Sequence, residues 1–285
     1  MTTDPVRRAA RDLAGRRILV TGATSGIGRD TALALAARGA HVLLACRSAG
    51  RARALADEIA ALPAEGTADH VTVDLADLAS VRAAAEQVVK RGDPVDVMVN
   101  NAGVAGLRGV TAQGFELTFG VNHLGPFLFT TLLLDGLGPL GPGRVVTVAS
   151  RAHFGARAID FAAVRRPTRT RTGLVEYQVS KLCNVLFTCE LARRCPAVDA
   201  YAVHPGVIAS NIWQPIPWPL RPLAVRFMAS TADGAAASLH CIAAPARELG
   251  PSGAYIDRTR ASEPSAVVTA DLATELWQRS EAWAA

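Results

Sequence analysis
Apolar runs of four to six residues recur along the chain between longer, alanine-rich segments in which apolar positions repeat every three or four residues. The short runs suit buried strands, the longer segments suit amphipathic helices, and their alternation predicts β-α-β units folded onto a parallel sheet. Seven strands are predicted: RILVT (17–21), HVLLAC (41–46), HVTVD (70–74), VDVMVN (95–100), RVVTVAS (144–150), VDAYAVH (198–204) and GAYID (253–257). IGRDTALALAARG, AGRARALADEIAAL and LASVRAAAEQVVKRG read as the helices between the first four. The expected fold is α/β: a Rossmann-type, doubly wound parallel sheet with helices on both faces. No linker and no fixed-period repeat divides the 285 residues, so one domain is expected, with a core over about 15–257 and a C-terminal extension over 258–285.

That rhythm breaks in two places. About 25 residues follow RVVTVAS before the next helical segment, giving a loop over 151–175, and a connection over 207–230 carries Pro215, Pro217, Pro219 and Pro222. Long connections beyond strand ends are where such sheets hold ligands. Both are expected to wall a substrate pocket, with Trp213 and Trp218 as broad apolar surfaces and His153 as a further contact. The tryptophans fit packing of the loop onto the domain equally well. The uncharged stretch LTFGVNHLGPFLFTTLLL (117–134) is apolar enough to suggest a membrane span, but Gly120, Asn122, His123, Gly125 and Pro126 within it favour a buried helix.

Directly after the first strand, TGATSGIG (21–28) opens a helix. Gly22, Gly26 and Gly28 allow a close backbone approach, and the free N–H groups and positive dipole of the helix start suit a pyrophosphate. Thr24, Ser25 and Ile27 complete that loop. An acidic residue closing the second strand would hold a ribose 2′-hydroxyl. Here the strand ends in HVLLACRS, with Arg47 at that place, and Arg29 follows Gly28. Two guanidinium groups suit a 2′-phosphate through charge-assisted hydrogen bonds, which points to NADP(H).

Composition narrows the classes. With 50% hydrophobic and 19% charged residues the chain is globular. Cys46, Cys183, Cys189, Cys195 and Cys241 are odd in number and form no C-x-x-C pair, which fits reduced thiols in a cytoplasmic protein. The N-terminal MTTDPVRRAARDLAGRR has no apolar run of the secretory kind. Net charge is +5, with arginines clustered in RRPTRTRTG (165–173), yet no aromatic residues interleave them, so no nucleic-acid partner and no integral membrane segment are expected. His123, His153 and His204 lack ligand spacing, so no metal is expected.

The basic residues divide into 28 arginines and two lysines, Lys90 and Lys181, and Lys181 stands four residues after one of three tyrosines, in YQVSK (177–181). On a helix this spacing puts the ammonium and the phenol on one face. A phenol, pKa about 10, needs such a charge to act as a proton donor and acceptor near neutrality.

Together TGATSGIG, ACR (45–47), DL (74–75), NNAG (100–103), VNHLGPF (121–127), Ser150, YQVSK and HPG (204–206) resemble the short-chain dehydrogenase/reductase (SDR) family, in particular its retinol-dehydrogenase-like branch, over roughly residues 15–257. The resemblance implies a seven-stranded parallel sheet and a catalytic tetrad of Asn122, Ser150, Tyr177 and Lys181. It implies that Asp74 and Leu75 flank an adenine. Asn100, Asn101, Ala102 and Gly103 would line the ribose side, and Pro205, Gly206 and Val207 would also contact the cofactor, with Tyr177 and Lys181. Ser210 stands where the family often has threonine, Ala149 where it often has a second serine, and RRPTRTRTG departs from the polar insert of animal retinol enzymes.

In that mechanism Ser150 bonds the substrate oxygen, Tyr177 exchanges a proton with it, Lys181 holds the nicotinamide ribose, and Asn122 anchors a water leading to solvent. The expected function is NADP(H)-dependent reduction of a ketone on a bulky, mainly apolar small molecule. An oxidative alcohol dehydrogenase, a C=C reductase and a non-catalytic NADP(H)-binding regulator are the alternatives. The long helices bearing Asn122 and Tyr177 pair between subunits in many relatives, so a homo-oligomer is open.

Overall fold
The computed structural model describes residues 12–206 and 230–285. Eight strands form one sheet: β1 (Arg17–Thr21), β2 (His41–Cys46), β3 (Thr67–Thr72), β4 (Val97–Asn100), β5 (Arg144–Val148), β6 (Asp199–His204), β7 (Tyr255–Asp257) and β8 (Arg260–Ser262). Their order is β3-β2-β1-β4-β5-β6-β7-β8, with the first seven parallel and β8 antiparallel to β7. The winding reverses between β1 and β4. Connections there leave the sheet in opposite directions and open a crevice beyond the strands' C-terminal ends.

Two features correct the sequence expectation. The sheet has eight strands rather than seven, because β8 (RAS) is three residues long and wholly exposed, held by backbone pairing across a tight turn at Arg258 (φ 58°), and so carries no apolar run. Strand β3 begins at Thr67 rather than His70. It is an edge strand, and its first residues, Thr-Ala-Asp-His, alternate between exposed and partly covered while their backbone pairs with His41–Leu44. The central strands β1 and β2 are buried almost throughout and match the apolar runs.

Helices cover both faces. On one side α1 (Gly26–Ala37), α2 (Ala49–Ala60) and α6 (Thr231–Ala243) pack on Ile18, Val20, Val42, Val99 and Val203. On the other lie α3 (Leu78–Arg91), α4 (Leu117–Leu137), α5 (Leu174–Arg194) and α7 (Ala270–Ala284). Side-chain caps satisfy free N–H groups at three helix starts: Ser48 accepts from Arg51 N, Asp77 from Ala79 N, and Ser230 forms a capping box with Asp233. The stretch Leu117–Leu140 is apolar and long enough to cross a membrane, but 72% of its apolar window is buried in the domain. Within α4, Gly120–Leu124 forms a π-turn, so the helix is not regular where Asn122 sits.

Helix α7 lies in the C-terminal extension and closes the second core. Trp277 stands edge-on to Phe127 at 5.0 Å and stacks on Phe187 at 5.8 Å, beneath the guanidinium of Arg194. Ser280 bonds Nε2 of the buried His123 at 2.9 Å, while Thr274 reaches Glu190, a buried carboxylate also held by Arg193 and Arg194. The α7 helix thereby braces the π-turn and the C-terminal half of α5. Trp277→Ala should cost about 3–5 kcal/mol, read as a lowered urea midpoint.

Candidate active site
A cleft of about 830 Å³ lies over the C-terminal ends of β1, β2, β4, β5 and β6. Its floor is the glycine loop between β1 and α1. A Cβ on Gly28 would lie 2.3 Å from Asn101 Nδ2 and 2.4 Å from Gly22 O, and Gly22 adopts φ 65° against Ala102, so only glycine fits this crossing of two loops. Thr21 stitches them: its hydroxyl accepts from the backbone N–H groups of Asn101 and Ala102, both at 3.0 Å, while Asn101 Nδ2 donates to Thr21 O at 2.8 Å. The floor is therefore a rigid backbone surface.

Gly22, Thr24, Ser25, Gly26, Ile27 and Gly28 all line the cleft, as do Asp74 and Leu75, Asn101, Ala102 and Gly103, and Pro205 and Gly206. Asn100 does not. Its side chain turns away and donates to Thr130 Oγ1 at 3.0 Å. Val207, Trp213 and Trp218 lie outside the described residues, as does Ser210.

At the end of β2, Arg47 lines the cleft and Arg29 does not. Arg29 reaches across to Glu58 on α2, at 2.5 and 2.7 Å, so its charge is already matched. The cation that lines the cleft beside Arg47 is instead Arg51, in the first turn of α2 and capped at its N–H by Ser48. Neither Arg47 nor Arg51 has a carboxylate partner among the described residues. Sequence adjacency to the glycine loop pointed to Arg29, whereas the strand-to-helix turn after β2 brings Arg47, Ser48 and Arg51 together.

Around the other half of the cleft stand Ser150, Tyr177 and Lys181. Ser150 follows β5, where its hydroxyl accepts from Ala152 N at 3.1 Å and opens a short 3-10 turn. Helix α5 carries Tyr177 and Lys181 on one face, with Nζ 5.7 Å from the phenol ring centre. The ammonium is buried and donates to Val148 O at 2.6 Å, at the end of β5. Burial pushes its pKa down to about 8, which leaves it protonated at neutral pH.

The phenol behaves differently from the sequence expectation. Burial pushes the Tyr177 pKa up, opposed by a hydrogen bond with Ser150. In the protein alone, removal from water outweighs that hydrogen bond, and Tyr177 is a neutral donor.

Asn122 sits behind this group. Its Oδ1 accepts from Val104 N at 2.7 Å, and its Nδ2 donates to Val104 O at 2.9 Å and Ser180 Oγ at 3.0 Å. The side chain thus ties the loop after β4 to α5. His153 is corrected as a substrate contact: it is buried, edge-on to Tyr255, and accepts at Nε2 from Ser265 N while Nδ1 donates to Ser150 O. Its role is to fix the turn that carries Ser150. Apolar residues missed in the sequence, Val104, Leu107, Leu117, Val121 and Leu174, also line the cleft. No cluster of three or more His, Cys, Asp or Glu side chains suited to a metal occurs among the described residues.

The short chain dehydrogenase family model matches residues 16–218. Human dehydrogenase/reductase SDR family member 13 is 41% identical over 283 residues, covering 95% of this chain and 73% of that protein. Mouse retinol dehydrogenase 12 is 42% identical over 247 residues, covering 85% and 77% respectively. Among solved structures, a short chain dehydrogenase from Burkholderia cenocepacia J2315 in complex with NADP superposes with a TM-score of 0.68 at 27% identity, over 87% of this chain and 97% of that one. The chain belongs to the short-chain dehydrogenase/reductase family, in its retinol-dehydrogenase-like branch. It is an oxidoreductase whose fold binds a nicotinamide dinucleotide, NAD or NADP.

A buried lysine costs stability in the protein without cofactor. Below about pH 8 both folded and unfolded chains carry the Lys181 proton, and the desolvation cost is fully present. Between about 8 and the ordinary lysine value of 10.5 the unfolded state binds more protons, so stability rises with pH and the cost disappears. Lys181→Met should therefore be more stable than wild type by about 1–3 kcal/mol at pH 7, with the difference fading by about pH 10.5, as read by urea unfolding without cofactor.

Proposed function
We propose that the protein is an NADP(H)-dependent oxidoreductase that reduces a ketone on a bulky, mainly apolar small molecule to the secondary alcohol. The carrying observation is the convergence of Ser150, neutral Tyr177 and a buried, protonated Lys181 at one wall of the cleft. Three groups that differ in kind, a hydroxyl, a phenol and an ammonium, meet where a carbonyl oxygen gaining charge would need them.

The site's residues fit NADP(H). The crossing of the two glycine-bearing loops leaves no room for a Cβ at Gly28, the N-terminus of α1 offers N–H groups to a pyrophosphate, and Arg47 and Arg51, without a carboxylate partner among the described residues, present guanidinium groups at the end of β2. No acidic residue stands at that strand end to select a ribose 2′-hydroxyl. The NADP found with the Burkholderia relative supports the same preference.

When bound, the reduced nicotinamide supplies the hydride. Ser150 Oγ donates a hydrogen bond to the substrate oxygen and orients the carbonyl. Tyr177 Oη delivers its proton to that oxygen as charge develops there. Lys181 holds positive charge beside the phenolate so formed, which lowers the cost of giving up the proton in a dry site. Asn122 keeps the loop after β4 in register with α5, and so keeps the floor aligned with the proton donor. The apolar side chains Leu107, Leu117, Val121 and Leu174 support a hydrophobic substrate body.

The test is a panel of ketones and enones followed by loss of NADPH absorbance, with product analysis to separate C=O from C=C reduction. Tyr177→Phe should bind NADPH as wild type does and lose about 10²–10⁴-fold in kcat. Normal turnover would sink the reading. Arg47→Asp and Arg51→Ala should each lower the kcat/KM ratio of NADPH to NADH about 10- to 100-fold, the range of one charge-assisted contact. An unchanged ratio in both would remove the claim for the 2′-phosphate.

A further inference from the structure
At the π-turn in α4 a proline removes one helical backbone donor. In an α-helix the carbonyl of Asn122 would accept from the N–H four residues on, but that residue is Pro126, which has none. The N–H of Gly125 bonds Gly120 O, five residues back, and gives no help. Asn122 is nearly fully buried, so its carbonyl needs another donor.

Asn184 supplies it. This buried residue sits one turn after Lys181 on α5. With its amide nitrogen toward α4 it donates to Asn122 O at 2.7 Å and to Ser180 O at 3.2 Å. The opposite orientation would donate to Val148 O at 3.3 Å but press Oδ1 against Asn122 O at 2.7 Å, two acceptors in contact. The first orientation is therefore the stable one.

We propose that Asn184 is a positioning residue of the reaction. Its amide holds the carbonyl that Pro126 frees, and by doing so sets the π-turn, the Asn122 side chain and the loop at Val104 against the helix that carries Tyr177 and Lys181. Both ends of Asn122 are then fixed, the carbonyl by Asn184 and the side-chain amide by Val104 and Ser180. The inference rests on the function proposed above, since the reaction it serves is that one.

The experiment compares Asn184→Ala, Pro126→Ala and the double variant. Asn184→Ala leaves a buried carbonyl unsatisfied: Tm should fall by about 5 °C, kcat by about 10- to 100-fold, and KM for NADPH should stay within about two-fold. Hydrogen exchange at the Val104 amide, which Asn122 Oδ1 protects, should speed up. Pro126→Ala restores an N–H at the place an α-helix needs it. The double variant should therefore regain most of the lost Tm, because the carbonyl has a helical donor again. It should regain neither kcat nor Val104 protection, because the π-turn is no longer held in place. A structural role alone would return all three together, and that result overturns the proposal, as does wild-type kcat and exchange in Asn184→Ala. If wild type reduces nothing in the panel, the earlier reading fails, while Tm and Val104 exchange still decide the role of Asn184.

Discussion
A single buried ammonium organises the reactive half of this molecule. Lys181 is withdrawn from water and anchored on the last carbonyl of β5, so the end of that strand, helix α5 and the turn carrying Ser150 must meet at one point. A charge in such a place is tolerated only with a close acceptor and an optimised surrounding. The supports are visible: the π-turn of α4 behind it, His153 fixing the Ser150 turn, and α7 bracing His123 and Glu190 from outside. The cost in stability lies in the desolvated ammonium itself, and these contacts hold its surroundings in order against that cost.

The same logic explains why the two halves of the cleft are built differently. The dinucleotide half is backbone, held by threonine and asparagine hydrogen bonds and kept thin by glycine, because phosphates are recognised by N–H groups and by the guanidinium groups above them. The reactive half is side chain, buried and electrostatically poised. In the protein alone its phenol stays neutral, so on this account Tyr177 begins the reduction with the proton it must give away. Lys181 then acts on the product of that transfer rather than on the resting donor.

Legibility in the sequence followed the range of the interactions. Strands β1 and β2 ended where the apolar runs ended, because both are buried on two faces. Tyr177 and Lys181 were readable because a four-residue helical spacing is local. Edge strands β3 and β8 were misjudged or missed, since half or all of their side chains face water and only backbone pairing holds them. Arg29 stood out beside Arg47 by its closeness to the glycine loop, while the direction of a helical side chain sent it to Glu58, and Arg51 gave no local signal. His153 looked free beside Ser150, yet its partner, Ser265, comes from the far end of the chain. Contacts of that kind are set by tertiary packing and leave no local pattern.

The chain itself offers a clean way to examine its central charge, because it contains two lysines, Lys90 on the surface and Lys181 in the site. Protein labelled at lysine Cε would give two resonances, assignable by a Lys90→Arg variant, and a pH titration without cofactor would read the ionisation of Lys181 directly. A midpoint near 8 is the result expected of an ammonium buried against Val148 O. Titration at the ordinary lysine value of about 10.4 would contradict the account, for it would mean that Lys181 stands in water and that the site is not built around it.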